Sequence, residues 1–434
     1  MASIRRKKFF LIALLVVVLS SSNLLVLLFF HLGFLSIRDA EAIQLAKDVT
    51  CLMILLIFAL PRVGNIVRLS SSIIIFSFLL VVIGFFAFLL SQRNFQAALN
   101  FRRYMTPIEV LTIGYLLAPS EAEWNRAVRL LVGLGVVAGI ASIIDFGFLG
   151  VAFWKSLGYF EYLVKVKHDI YANAYTGQLF GNFQRPVGRI LVFRSGSIFG
   201  DPLSAGENLG FISVLAFLYA SAKKTASSGA AFLLAATGLL LTFTREGYLL
   251  LVITLLLYAI REKRGSLFWA VLIVGVLALI LPDVSRVLQA TASLSESSAQ
   301  IHASSITDFF NYLFSFHGGG VGQSFSFSPY EGGEGTEWFI LLATGLLGLI
   351  VFYGFLFTLV RQFSLLDRRL PDENMLKVWV PLISTAIILS FVSQNMLTMT
   401  GFGIFWLYAG MAISVCSKSS RRFSPNSHAF ASIS

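Results

Sequence analysis

Apolar stretches long enough to cross a bilayer recur from one end of this chain to the other, and no other feature of the sequence limits the fold as strongly. A membrane-crossing helix needs roughly 20 predominantly apolar residues. By apolar length, about twelve stretches qualify as helix cores: Phe9–Phe30, Ile43–Leu60, Ser71–Leu90, Met105–Ala118, Ala127–Ile144, Leu203–Ala222, Ala230–Phe243, Tyr248–Ile260, Leu267–Leu281, Thr336–Val360, Val378–Val392 and Leu397–Cys416. Composition agrees: 57% of the 434 residues are hydrophobic and 13% are charged, against about 25% charged in a soluble domain. The expected fold is an all-α polytopic membrane protein. The opening MASIRRKKFFLIALLVVVLSSSNLLVLLFF has an apolar part longer than the roughly 7–15 residues of a signal-peptide core, so it reads as a retained first helix.

The net charge is +11, from 33 basic and 22 acidic residues. In a soluble chain that excess would suggest nucleic acid. Here the basic residues sit mostly in short loops between apolar runs, which is the positive-inside pattern; no nucleic-acid partner is expected. RRKK at Arg5–Lys8, Lys223–Lys224, REKR at Arg261–Arg264, RQFSLLDRR at Arg361–Arg369 and SKSSRR at Ser417–Arg422 fall on one side of a twelve-helix count. That side is expected to be cytoplasmic, with both termini. The connection Gln92–Arg103 falls on the outer side despite its arginines. The two cysteines, Cys51 and Cys416, fit neither a disulfide framework nor a metal site.

The alternation of apolar and polar stretches divides the chain. N-terminal helices occupy residues 1–145, a first long periplasmic loop 146–202, and central helices 203–281. A second long periplasmic loop takes 282–335, C-terminal helices 336–416 and a cytoplasmic tail 417–434. Loops longer than ~12–15 residues in a compact protein are usually functional or disordered. These two carry aromatics and glycine rather than a Ser/Glu/Lys tract, so they are the expected place of recognition or chemistry.

Three constellations stand out on the outer side. In RILVFRSGSIFGDPLSAGENLGF, Arg189 and Arg194 precede Pro202, which opens a helix where its missing N–H costs nothing. A helix N-terminus with free N–H groups favours an anion, and two guanidinium forks match a phosphate. Anchoring to lipid headgroups is the alternative. In LTFTREGYLLL, Arg245 lies in a tight turn between apolar helices, where a charge is costly and often functional; a snorkelling arginine or a local pair with Glu246 is the alternative. In FHGGGVGQSFSFSPYEGGEGTEWF, the glycines lack the strand and helix that a nucleotide loop requires. They suit close backbone approach to a bulky ligand instead. Glu334 and Glu337 flank the next helix, and Glu337 at its first turn also satisfies the helix dipole. His317 lies in the same loop, with no second histidine or cysteine close enough for a metal site. Arginines suit a diphosphate, and a carboxylate or histidine suits deprotonation of a sugar hydroxyl.

These segments, in this order, resemble the O-antigen polymerase and O-antigen ligase superfamily of bacterial inner membranes. RSGSIFGDPLSAGENLG is similar to its arginine–glycine–Asn/Asp-Pro segment before a membrane helix, TFTREGYLL to its Ser/Thr-Arg turn, FNYLFSFHGGGVGQSF to its loop ending in G-x-G, and TEWFILLATGLLGLIVFYGF to its G-L-L-G helix. The match runs over roughly Arg189 to Phe355. The resemblance implies a GT-C-like fold that works without a cofactor on undecaprenyl-diphosphate-linked oligosaccharide at the periplasmic face. A chain-length regulator and a flippase are its implied partners, together with membrane lipid. Arg194 and Arg245 match arginines that engage the diphosphate, and Arg286 is a looser candidate. Ligases of the family place a histidine just before the G-L-L-G helix. Here EGTEWF stands there, with Glu334 and Glu337, which favours a repeat-unit polymerase over a ligase. Glu337 or His317 would activate the acceptor. A lipid-linked oligosaccharide transporter is the alternative of another class; nearly charge-free helix interiors disfavour it.

Overall fold

The computed structural model describes residues 2–37, 39, 43, 70–91, 95–117, 119–165, 183–187, 190–280, 304, 306–311, 335–367, 375–391, 393 and 395–422. Within them the chain is built almost wholly of helix. The long elements are α1 (Ala2–His31), α2 (Ser71–Leu90), α3 (Phe95–Leu117) and α4 (Glu121–Ile144). A π-helical turn, Asp145–Leu149, then leads into two short helices, α5 (Gly150–Ser156) and α6 (Tyr159–Lys165). After a hairpin follow α7 (Pro202–Lys223), α8 (Ala226–Leu241), α9 (Arg245–Arg261) and α10 (Gly265–Ile280), then α11 (Thr336–Asp367), α12 (Trp379–Ser390) and α13 (Met399–Arg422). Of the predicted apolar cores, Ile43–Leu60 lies outside the described residues apart from Ile43; the others are helical through most of their length. Among the described residues, six spans are long and apolar enough to cross a membrane: Phe9–His31, Ser71–Leu90, Glu121–Ser156, Pro202–Lys223, Thr336–Asp367 and Met399–Lys418. Ala226–Leu241 and Met375–Ser390 are shorter apolar helices. The protein is membrane-embedded and α-helical.

The helix ends follow their capping chemistry. Ser120 and Glu123 close a capping box on α4, and Thr225 with Ser228 closes one on α8, each satisfying two backbone donors that have no partner inside the helix. Helix pairs approach through small residues, as membrane helices do when dispersion replaces the hydrophobic drive. A Cβ on Gly210 would press on Gly247 of α9, and one on Gly114 of α3 would strike the Leu407 carbonyl of α13. α13 is the central helix, 94% buried over its apolar window, whereas α2 is 22% buried and peripheral.

Side-chain contacts mark two ends of the bundle. At one, Thr336 of α11 donates to the Ser393 carbonyl just before α13 (2.6 Å), and the Arg194 side chain meets the α8–α9 turn. At the other, Arg261 pairs with Asp367 (2.6 Å), Lys377 with Glu262 (3.4 Å), and Lys418 reaches the Pro119 carbonyl (3.2 Å). The turn Asn395–Leu397 packs on α3, while Pro119 beyond the C-terminus of α3 meets Lys418. α3 therefore begins at the Arg194 end and carries Arg102 and Arg103 there, the arginines that stood against the simple charge rule.

The stretch expected as a first long loop is folded where it is described. α4 runs on through the π turn into α5, and an antiparallel hairpin, β1 (Gln184–Val187) with β2 (Ile190–Phe193), follows. It is the one sheet among the described residues. Trp154, Leu157, Tyr159, Tyr162 and Phe183 form a second small core with Val26 and Leu27 of α1. The result is a cap over the Arg194 end.

Candidate functional site

The hairpin delivers Arg194 to the bundle. The Arg194 N–H donates to the Phe183 carbonyl (2.9 Å), and the Ser195 N–H to the Leu241 carbonyl at the end of α8 (3.0 Å). The Arg194 side chain is buried. Its Nε donates to the Thr242 carbonyl (3.0 Å) and its Nη2 to the Thr244 hydroxyl (2.9 Å). Thr244 precedes α9 but does not cap it; its hydroxyl donates instead to the Pro202 carbonyl (2.9 Å). Arg245 is the first residue of α9. The turn closes tightly because Phe243 adopts φ +47°. Thus the Arg194 side chain reaches Thr244, the residue before Arg245 at the N-terminus of α9, and Thr244 ties hairpin, α7, α8 and α9 into one bonded junction. The partial positive charge of that terminus adds to that of the arginines.

The N-terminus of α7 departs from expectation. Pro202 opens the helix as its sequence predicts, but Asp201 caps it, its carboxylate accepting from the Ser204 N–H (2.9 Å). The protein's own carboxylate fills the place proposed for an outside anion, because a helix N-terminus favours whichever negative group lies nearest. The N-terminus of α9 carries Arg245 and Glu246 in its first turn.

On the far side of α7 is an acidic network. Glu207 and Asn208 are 2% and 1% exposed. The Ser393 hydroxyl donates to Glu207 Oε1 (3.2 Å), while the Ser393 carbonyl accepts from Thr336. Next to Thr336, Glu337 is 1% exposed, and neither carboxylate oxygen has a hydrogen-bond partner among the described residues. A buried carboxylate of this kind is costly.

α11 itself is broken. Gly345 has φ +71° and ψ −174°, outside helical space, so Thr336–Thr344 forms a separate half-helix. That conformation is available essentially to glycine alone. Edge-to-face rings link the half-helix to the rest: Trp338 meets Phe309 (5.8 Å), Phe309 meets Phe391 (6.4 Å), and Phe391 stacks on Tyr353 beyond the break (5.8 Å).

Of the residues singled out from sequence, the structure bonds Arg194 to Thr244, the neighbour of Arg245 in the chain, and buries Glu337 next to Thr336, which joins the Ser393–Glu207 network. Arg189, Arg286, His317 and Glu334 lie outside the described residues. Among the described residues no three His, Cys, Asp or Glu gather as metal ligands. Sequence reasoning missed three participants. Glu207 carried a readable signal, an acid within an apolar helix. Asp145, at the end of the apolar run of α4, carried a weaker one. Ser393 carried none. No protein-family model and no curated protein matches this chain.

Proposed function

We propose that the protein is a polymerase of glycan repeat units, moving them from an undecaprenyl-diphosphate carrier onto a growing surface polysaccharide. The observation that carries this reading is the buried Arg194 side chain bound to Thr244, the residue that precedes Arg245 at the start of α9, with buried Glu207 and Glu337 at the same end of the bundle. In the proposed step the acceptor hydroxyl oxygen attacks the anomeric carbon of the donor glycan. Its proton passes to Glu337. The bond from that carbon to the carrier diphosphate breaks, and the electron pair leaves with the diphosphate. The arginines and the α9 terminus hold the charge that develops there, which is the main demand once the leaving group is good. Arg286 assists, Arg189 and Glu334 contact substrate, and His317 is the second candidate for the base. The same reading takes the chain as a GT-C-like protein of about twelve spans in the bacterial inner membrane, with both termini cytoplasmic and the Arg194 end periplasmic.

One observation favours a second reading. Transporters build substrate sites from discontinuous membrane helices, and α11 is broken at Gly345 beside a buried carboxylate. A lipid-linked oligosaccharide transporter would use the same parts without making a glycosidic bond.

Arg245→Ala separates the arginine's role from folding. Chain growth in cells is expected to fall by about 10²–10³, as on removal of one group that stabilises developing charge, with membrane insertion unchanged. Normal polymer in that variant removes Arg245 from the mechanism.

A further inference from the structure

We propose that Asp145 is a positioning residue that holds the Arg194–Ser197 turn, and so the Arg194 guanidinium, in the geometry that receives an anionic diphosphate; the inference rests on the function proposed above. Asp145 is the first residue of the π turn that ends α4, and π turns recur at functional sites because they re-aim one side chain. Its carboxylate is 3% exposed. Oδ2 accepts from the Ser195 hydroxyl (2.8 Å), the Gly196 N–H (2.9 Å) and the Ser197 N–H (3.4 Å). Oδ1 accepts from Trp154 Nε1 (2.8 Å) in the cap.

The turn needs such a clasp. Ser197 sits at φ +50°, a conformation that costs a residue with a side chain and persists only where its surroundings over-determine it. The Ser197 hydroxyl adds a further tie, donating to the Ala138 carbonyl of α4 (2.7 Å). Gly196 is equally constrained, since a Cβ there would meet Phe183 at 2.8 Å and Trp154 at 3.1 Å. α4 and the cap therefore fix one side of the turn, and the α8–α9 junction fixes the other. A functional arginine placed by a supporting shell of this kind is preorganised rather than free to search.

The two oxygens make the idea testable. Asparagine keeps the shape but must turn its NH₂ towards either the Trp154 donor or the three donors of the turn. In Asp145→Asn, hydrogen exchange at Gly196 and Ser197 is expected to rise while that of α13 stays unchanged. Binding of a polyprenyl diphosphate to the purified full-length protein should weaken about 10- to 100-fold, as when an outer carboxylate that orients a working group is lost. Phenylalanine at 154 removes the opposing N–H. Asp145→Asn combined with Trp154→Phe should therefore bind better than Asp145→Asn alone, with Trp154→Phe as reference. In an Arg194→Ala background Asp145→Asn should cost no further affinity, because the residue it positions is gone. A purely structural role would instead give losses that multiply. Unchanged exchange in Asp145→Asn, a loosened turn with full affinity, or multiplying losses each overturn the proposal. Wild-type protein that binds no polyprenyl diphosphate overturns the proposed function itself, whatever the exchange data show.

Discussion

The two ends of the helix bundle hold their buried carboxylates differently. At the Lys377 end, cations and carboxylates meet directly: Arg261 Nε and Nη2 lie 3.1 and 2.6 Å from one Asp367 oxygen, and Lys377 lies 3.4 Å from Glu262. At the Arg194 end, that arginine is held by a carbonyl and a hydroxyl, and buried Glu337 has no hydrogen-bond partner among the described residues. Charge neutralised within the fold serves cohesion. A buried carboxylate that accepts no hydrogen bond from another described residue, as at Glu337, is instead costly to keep. Both ends belong to one bundle, so the difference is not one of burial alone.

Glu337→Gln tests the sharpest part of that contrast. The amide keeps the shape and removes a buried charge, so chain growth is expected to drop about 10²–10⁴, the range for loss of a general base, while thermal stability holds or rises. A variant that loses stability instead would make Glu337 a structural group. Arg261→Ala probes the opposite end. It leaves Asp367 unpaired, and a loss of about 1–3 kcal/mol is expected, below that of a fully buried pair because Arg261 keeps 29% side-chain exposure. Activity per folded molecule should be unchanged. Loss of activity without loss of stability there would erase the distinction between the ends. A loss of similar size is expected at the break in α11. Gly345→Ala puts a side chain where φ is positive and should cost roughly 1–3 kcal/mol, seen as a lower melting temperature.

Much of this contrast was legible in the sequence. Apolar length located the helices, Pro202 marked the start of α7, and the TFTREG turn pointed to Arg245, because each signal acts within a few residues. What stayed hidden depends on distant partners. Asp145 meets Ser195 across fifty positions of chain, and Ser393, between α12 and α13, joins Glu207 of α7 to Thr336 of α11; no local pattern encodes such meetings. The cap on α7 is instructive in another way. Asp201 stood in the sequence beside Pro202, and its ordinary capping role was sufficient to fill the terminus expected to bind an outside anion. The break at Gly345 was hidden because a glycine inside an apolar run is compatible with an unbroken membrane helix.

The most direct measurement uses purified protein in lipid, with its lipid-diphosphate oligosaccharide from the producing host as the sole glycan, resolved on a gel. The account predicts a ladder spaced by one repeat unit, absent in Arg245→Ala. No ladder from folded wild-type protein would contradict it: transfer seen only when a separate lipid or protein acceptor is added would make the protein a ligase, and movement of the donor across the bilayer with no new glycosidic bond would make it a transporter.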